Sequence, residues 1–247
     1  MKVCAIIPAR YSSTRFPGKV IHHICGKPLI VWVWERVIKI DGIDKSLVAT
    51  DDERVKNVCD RYGITAVITS PTHRSGTDRI AEVARKEDAD IYINIQGDEP
   101  FITPYAIKLP LKLIESDLRF DITTAVTPLK DQQMISDQNI VKAVVENKRV
   151  IYFSRLAVPY HHNLSETKSL IPYYRHIGVY VFRKESLFKF VDSPPSLIET
   201  LERLEQLRAL ACGMSIGAEI VDYSAPSIDT PHDIAKAERF ALDNSLI

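Results

Sequence analysis

The stretch Pro8-Ala9-Arg10-Tyr11-Ser12-Ser13-Thr14-Arg15-Phe16-Pro17-Gly18-Lys19 decides how this chain is read. It follows the short apolar run 3–7, which reads as a buried strand. Arg10, Arg15 and Lys19 put three cations within ten residues, separated by small hydroxyls and one glycine. A loop at a strand end with cations and bare backbone N–H groups suits a polyphosphate. The expected ligand is therefore a nucleoside triphosphate.

Outward from that loop, strand and helix signals alternate. Residues 29–40 have helical spacing, with Ile30, Val33, Trp34, Val37 and Ile38 on one side and Pro28 suited to the first turn. Strands follow at 46–49, 66–68 and 90–95. Between them lie helices over 51–61, capped by Thr50 or Asp51 with Gly63 past its end, and over 78–86. Such alternation predicts a parallel sheet with helices on both faces.

After about residue 120 the pattern changes. Strands are expected at 122–127, 140–145, 150–153, 177–182 and 216–221, with a hairpin turn at Asn147-Lys148. Residues 196–212 read as one amphipathic helix carrying Leu197, Leu201, Leu204 and Leu207 and ended by Gly213. Residues 231–242 read as a closing helix capped by Thr230. The expected fold is α/β, one domain over 1–247 with a mixed, mostly parallel sheet, in which 121–182 forms a lobe over the strand ends. Open α/β sheets bind ligands beyond the carboxyl ends of their strands. The loops 9–19, 70–77 and 96–100 all follow strands and belong on that rim.

Composition narrows the function classes. The 247 residues are 45% hydrophobic and 26% charged, ordinary for a globular protein. With 32 basic and 32 acidic residues the net charge is zero, which speaks against a broad field for nucleic acid and leaves room for a local basic cleft. Cys4, Cys25, Cys59 and Cys212 are scattered and form no Cys-x-x-Cys pair, the usage of reduced thiols in a cytoplasmic protein. No segment has the length of a membrane span, and the first apolar run is too short for a signal peptide.

Several residues are candidates for chemistry. In Gln96-Gly97-Asp98-Glu99-Pro100 an apolar strand delivers a carboxylate into a tight turn. Asp98 is placed either to cap that turn or to hold Mg²⁺, which takes one or two carboxylates plus phosphate oxygens. Beside a triphosphate loop the metal reading is favoured. Ile228-Asp229-Thr230-Pro231 has the same form, so Asp229 is either a helix-start residue or a second metal ligand. Arg74-Ser75-Gly76-Thr77-Asp78-Arg79 is an ordinary helix start or a turn that reads a base edge, and spacing does not choose between them. The pairs His22-His23 and His161-His162 read as surface residues, because neighbours on a strand point to opposite faces. Cys25-Gly26 reads as a turn. There is no Gly-x-Ser-x-Gly elbow and no P-loop.

Eight motifs in order then carry a resemblance: residues 7–19, Val-Ala-Thr-Asp-Asp at 48–52, Ser-Gly-Thr-Asp-Arg at 75–79, Asn-Ile-Gln-Gly-Asp-Glu-Pro at 94–100, Tyr-Phe-Ser-Arg at 152–155, Arg-His-Ile-Gly-Val-Tyr at 175–180, Leu-Glu-Gln-Leu-Arg at 204–208 and Asp-Thr-Pro at 229–231. From about Val3 to Phe240 the chain resembles the 3-deoxy-D-manno-octulosonate (KDO) cytidylyltransferases, or CMP-KDO synthetases. The resemblance implies a nucleotidyltransferase (Rossmann-like) fold, a cytoplasmic homodimer with a small dimerisation lobe, and the Mg²⁺-dependent reaction of CTP with KDO to give CMP-KDO and pyrophosphate. It implies a place in lipopolysaccharide or capsule synthesis, and with the zero net charge and no membrane-span segment, neither nucleic acid nor membrane is expected as a partner.

By the same likeness Arg10, Arg15 and Lys19 hold the triphosphate, and Arg74, Ser75, Gly76 and Gln96 line the cytidine side. Asp98 and Asp229 bind magnesium and share catalysis with Lys19. Arg155, His176, Tyr180, Glu205 and Gln206 line the sugar site. Two departures from the family pattern stand out. Here 225–233 reads Ala-Pro-Ser-Ile-Asp-Thr-Pro-His-Asp, without the usual glycine before the acid and with His232 in place of an acid. The segment 161–171 is shorter than is typical. Relatives that activate 8-amino-KDO also lack that glycine, so this sugar, or another acid sugar such as sialic acid, is the alternative acceptor.

Overall fold

The computed structural model describes residues 1–13, 15–160 and 173–247; His161-His162 and the short segment 161–171 lie outside the described residues. The chain divides into two compact units, Met1–Pro104 with Ser224–Ile247, and Tyr105–Tyr223.

The first unit opens with strand β1 (Val3–Pro8). A small hairpin of β2 (His23–Ile24) and β3 (Lys27–Pro28) follows, turning through Cys25 and Gly26, both at positive φ. Then come α1 (Leu29–Val37), β4 (Lys45–Thr50), α2 (Glu53–Arg61), β5 (Ala66–Ile68), α3 (Gly76–Ala84) and β6 (Ile91–Ile95). The strands run in the order β5-β4-β1-β6, and each neighbouring pair is parallel. Every residue of β6 and all but the last of β1 are buried. A parallel strand covered on both faces has this continuous apolar sequence, which is why 3–7 and 90–95 read as strands.

Helix α2 is capped by Asp52, whose carboxylate accepts the Arg54 N–H at 2.8 Å, and not by the Thr50 or Asp51 expected. Asp51 is engaged elsewhere, with Arg79. Ser75 caps α3 by accepting the Asp78 N–H at 3.1 Å.

The second unit begins with α4 (Pro104–Ser116), a helix the sequence pattern did not disclose. Pro104 suits a first turn, but Pro110 in the interior reads as a breaker. Elements β7 (Ile122–Pro128), α5 (Gln132–Ser136), β8 (Lys142–Glu146), β9 (Arg149–Ser154), β10 (Tyr174–Arg183) and α6 (Lys184–Asp192) follow. Next are α7 (Leu197–Glu202), α8 (Leu207–Ala211) and β11 (Ile216–Ile220). The order β10-β7-β11-β9-β8 mixes one parallel pair, β11 with β7, with antiparallel ones. Asn147 and Lys148 turn the β8–β9 hairpin with φ of 50° and 64°, the left-handed pair that matches strand twist.

The helix expected over 196–212 is broken into α7 and α8. Arg203 ends α7 in the left-handed region, φ 54° and ψ 47°. The Arg155 guanidinium takes the Glu202 carbonyl at 2.9 Å and the Arg203 carbonyl at 3.4 Å, acceptors a continuous helix would use internally. Leu204 and Leu207 are buried as the pattern required, whereas Leu197 and Leu201 are exposed.

The chain re-enters the first unit at Ser224 and closes with α9 (His232–Asp243). Thr230 does not cap it. Instead Asp233 in its first turn accepts the Asp229 N–H (3.1 Å), the Thr230 N–H (2.8 Å) and the Thr230 hydroxyl (3.0 Å), a carboxylate at the positive end of a helix. Phe240 packs on Phe101 at 5.2 Å between centroids, and Phe101 on Trp32 at 5.6 Å.

Candidate active site

The loops that leave β1, β5 and β6 line one cleft of about 230 Å³ in the first unit. The first loop contributes Arg10, Ser13, Arg15 and Lys19, the second His73, Arg74, Ser75 and Gly76, and the third Gln96, Gly97 and Asp98. All of the expected nucleotide-side residues therefore share a wall. Ser13, His73 and Arg79 line it as well, and the resemblance gave them no role. Their signal lay only in position, since each falls within or just after a loop already marked by its neighbours.

Local chemistry shapes the first loop. Gly18 sits at φ 71°, and the Tyr11 carbonyl accepts its N–H at 2.9 Å, which folds the loop back on itself. A single 3₁₀ turn, Lys19–Ile21, follows and leaves Lys19 buried while Arg10 and Arg15 are exposed. In the third loop a Cβ on Gly97 would lie 2.8 Å from the Pro8 carbonyl oxygen, so only glycine lets the end of β1 and this loop approach so closely.

The acids converge on one ammonium. Lys19 Nζ donates to Asp98 Oδ2 at 2.8 Å and to the Ile228 carbonyl at 2.7 Å, and lies 3.8 Å from Asp229 Oδ1. Arg15 donates to the same Asp229 oxygen at 2.8 Å. The Ile228 N–H donates back to the Asp98 carbonyl at 3.1 Å. The turn after β6 and the approach to α9 are thus tied by backbone and side chain together, and both carboxylates face the Lys19 ammonium. Such a pair of hard oxygen donors fits Mg²⁺, a cation that draws the rest of its shell from water and phosphate oxygens. Among the described residues no three His, Cys, Asp or Glu side chains group around a common point.

The residues assigned to the sugar lie in the second unit. Arg155 spends its guanidinium on the carbonyls of Glu202, Arg203 and Gln138. His176 packs between Phe153 and Tyr180, each 5.1 Å away between centroids. Its Nε2 lies 2.9 Å from the Thr124 hydroxyl, which donates its own proton to the Val179 carbonyl at 2.6 Å, so the imidazole is the donor. Burial raises the Tyr180 hydroxyl well above its ordinary range, and the nearby Glu205 charge raises it further. Gln206 is buried at the start of α8. His176, Tyr180 and Glu205 are therefore neighbours, while Arg155 is turned to backbone.

Burial, with repulsion from Arg175, pushes His176 down to about 3 from 6.5. Between those values the unfolded chain binds a proton that the folded one refuses, so stability falls as pH drops through that window. His176→Asn is expected to flatten this fall, measured by thermal melts from about pH 7.5 to about pH 5. Equal slopes in both proteins would contradict a buried neutral imidazole.

Residues 4–216 match the cytidylyltransferase family. A 3-deoxy-manno-octulosonate cytidylyltransferase of Elusimicrobium minutum is 42% identical over 240 residues, 97% of this chain and 98% of that protein. An 8-amino-3,8-dideoxy-manno-octulosonate cytidylyltransferase of Shewanella pealeana is 40% identical over 98% of this chain and 100% of its own. A solved structure of CMP:2-keto-3-deoxy-manno-octonic acid synthetase complexed with CTP superposes with a TM-score of 0.92 at 36% identity, covering 99% of this chain and 100% of that one. A cleft built from three strand-end loops, on a fold shared over the whole chain with such enzymes, makes this chain a nucleotidyltransferase that belongs to the cytidylyltransferase family.

Proposed function

We propose that the protein transfers CMP from CTP to the anomeric hydroxyl of KDO and releases pyrophosphate. The observation that carries this reading is the meeting of Asp98 and Asp229 with Arg15 and Lys19, two cations that line the cleft. Arg10, Arg15 and Lys19 hold the triphosphate. Arg74, Ser75, Gly76 and Gln96 face the cytidine, and the N–H groups at the start of α3 add donors there. Asp98 and Asp229 hold Mg²⁺, which when bound offsets phosphate charge and acidifies a hydroxyl.

The sugar oxygen attacks the α-phosphorus while the bond to the β-phosphate breaks in line. The chain's residues serve chiefly to position the reactants and to stabilise charge. His176, Tyr180, Glu205, Gln206 and Arg155 serve the acid sugar, with Arg155 acting by fixing the α7–α8 break.

A homodimer is part of the proposal. Ile151, Leu156, Leu197 and Leu201 are 55%, 62%, 75% and 72% exposed. Arg155 joins the end of β9 to Glu202, so the exposed Leu156 and Leu201 follow and precede residues of one junction, and we take these leucines as contacts for a second copy. No described helix is long and apolar enough to cross a membrane. The free Cys4, Cys25, Cys59 and Cys212 suit the reducing cytoplasm, where we place the reaction.

Pyrophosphate release from CTP tests the reading, with no sugar, KDO, 8-amino-KDO or sialic acid added in parallel. Release with KDO at least tenfold faster than with the others is the expected result. A preference for the 8-amino sugar would move the acceptor to that of the Shewanella relative. No release with any sugar would leave a nucleotide-binding protein without this activity.

A further inference from the structure

The motif Val48-Ala49-Thr50-Asp51-Asp52 takes no part in the chemistry above, yet its first acid joins two walls of the cleft. Asp51 Oδ2 accepts from Arg79 at 2.8 Å, and the pair is almost wholly removed from solvent, 4% exposed at Arg79 and 13% at Asp51. The other oxygen of Asp51 accepts the Tyr11 N–H at 3.4 Å, in the phosphate-side loop. The other terminal nitrogen of Arg79 donates to the Thr69 hydroxyl and the Ser70 carbonyl at the base-side loop. Thr69 is held in turn by the Thr50 carbonyl, which accepts its N–H at 2.8 Å and its hydroxyl at 3.0 Å. Arg54 stacks over the Tyr11 ring at 3.4 Å and steadies the phosphate-side end of the chain of contacts.

We propose that the Asp51–Arg79 ion pair is a positioning device that sets the base-side loop against the phosphate-side loop, and so contributes to the choice of nucleotide base. Loops at strand ends have few contacts of their own, and a base edge is discriminated only when its partners are held in place. A part-buried carboxylate that bonds one loop and a buried arginine that bonds the other fix the spacing between residues 11 and 70. The guanidinium fork adds directional rigidity that an apolar contact would lack. This inference rests on the cleft's taking CTP.

The test is equilibrium binding of magnesium CTP and magnesium UTP to the full-length protein by calorimetry, with no sugar present. Wild type is expected to bind CTP and to prefer it over UTP. In Asp51→Asn, CTP affinity is expected to fall about tenfold and the preference for CTP over UTP to shrink by at least threefold. Thr69→Val, which keeps the ion pair and removes one arginine acceptor, is expected to lower the preference in the same direction. It takes the place of Asp51→Asn if that variant does not fold. A folded variant with an unchanged CTP-to-UTP ratio would overturn the positioning role, even if both affinities fell together. Absence of CTP binding in wild type would overturn the functional reading itself.

Discussion

Asp98→Asn is expected to lower kcat by at least about 10²–10³-fold while leaving the fold intact. Asparagine keeps the shape of the side chain and an oxygen that can still accept from Lys19, whose ammonium lies 2.8 Å from the present carboxylate. The backbone bond from the Ile228 N–H to the Asp98 carbonyl does not involve the side chain and should survive. What disappears is one of two negative charges that face the phosphate-side cations. A cation that needs one or two carboxylates as well as phosphate oxygens then has only Asp229, already engaged by Arg15 at 2.8 Å. Raising magnesium should therefore not restore turnover. Steady-state kcat across a magnesium titration, paired with a thermal melt, checks both halves. Near-normal kcat at saturating magnesium would remove Asp98 from the metal site.

The sequence exposed this part of the molecule well because its signals are local. A buried parallel strand is a short apolar run, and the loop after it carries the reactive groups, so β1 with 9–19 and β6 with 96–100 could be found together. What escaped depends on contacts distant in sequence. The break at Arg203 is stabilised by Arg155, 48 residues earlier, and no helical period reveals that competition. Helix α4 carries a proline in its interior, which local propensity counts against it. Asp51 looked like a cap because it precedes a helix, but Asp52 caps and Asp51 pairs with Arg79, 28 residues away. Asp98 and Asp229 drew notice as a pair through their like form, an acid in a turn after a strand-like approach, and the resemblance chose the metal reading for Asp229 over a helix start. The contacts of Lys19 with Asp98 and with the Ile228 carbonyl beside Asp229 span 79 and 209 residues of chain, a closure that spacing alone does not encode.

Lys19→Met should separate two roles that the resemblance merged into one. If this lysine only held phosphate, its loss would weaken CTP and leave the free protein as stable as before. The geometry argues for more. Two of the three N–H donors of the ammonium are used, on Asp98 Oδ2 at 2.8 Å and the Ile228 carbonyl at 2.7 Å, so one remains for a phosphate oxygen. Without it the Ile228 carbonyl loses its donor, and the carboxylates of Asp98 and Asp229 keep only Arg15, an exposed partner on one of them. Both acids are about one-third exposed, so water offsets part of the loss, and the destabilisation should be about 1–3 kcal/mol. The effect on kcat should be larger, about 10²-fold or more, because the two acids lose the group that aligns them before substrate arrives. Lys19→Arg should rescue little, since a planar fork cannot replace a compact ammonium that is 11% exposed and wedged between a carboxylate and a carbonyl. Chemical denaturation of the free protein and single-turnover rates for Lys19→Met measure the two quantities separately. A lowered rate at unchanged stability would return Lys19 to a purely phosphate-binding part, whereas loss of both makes it the residue that assembles the acidic pair.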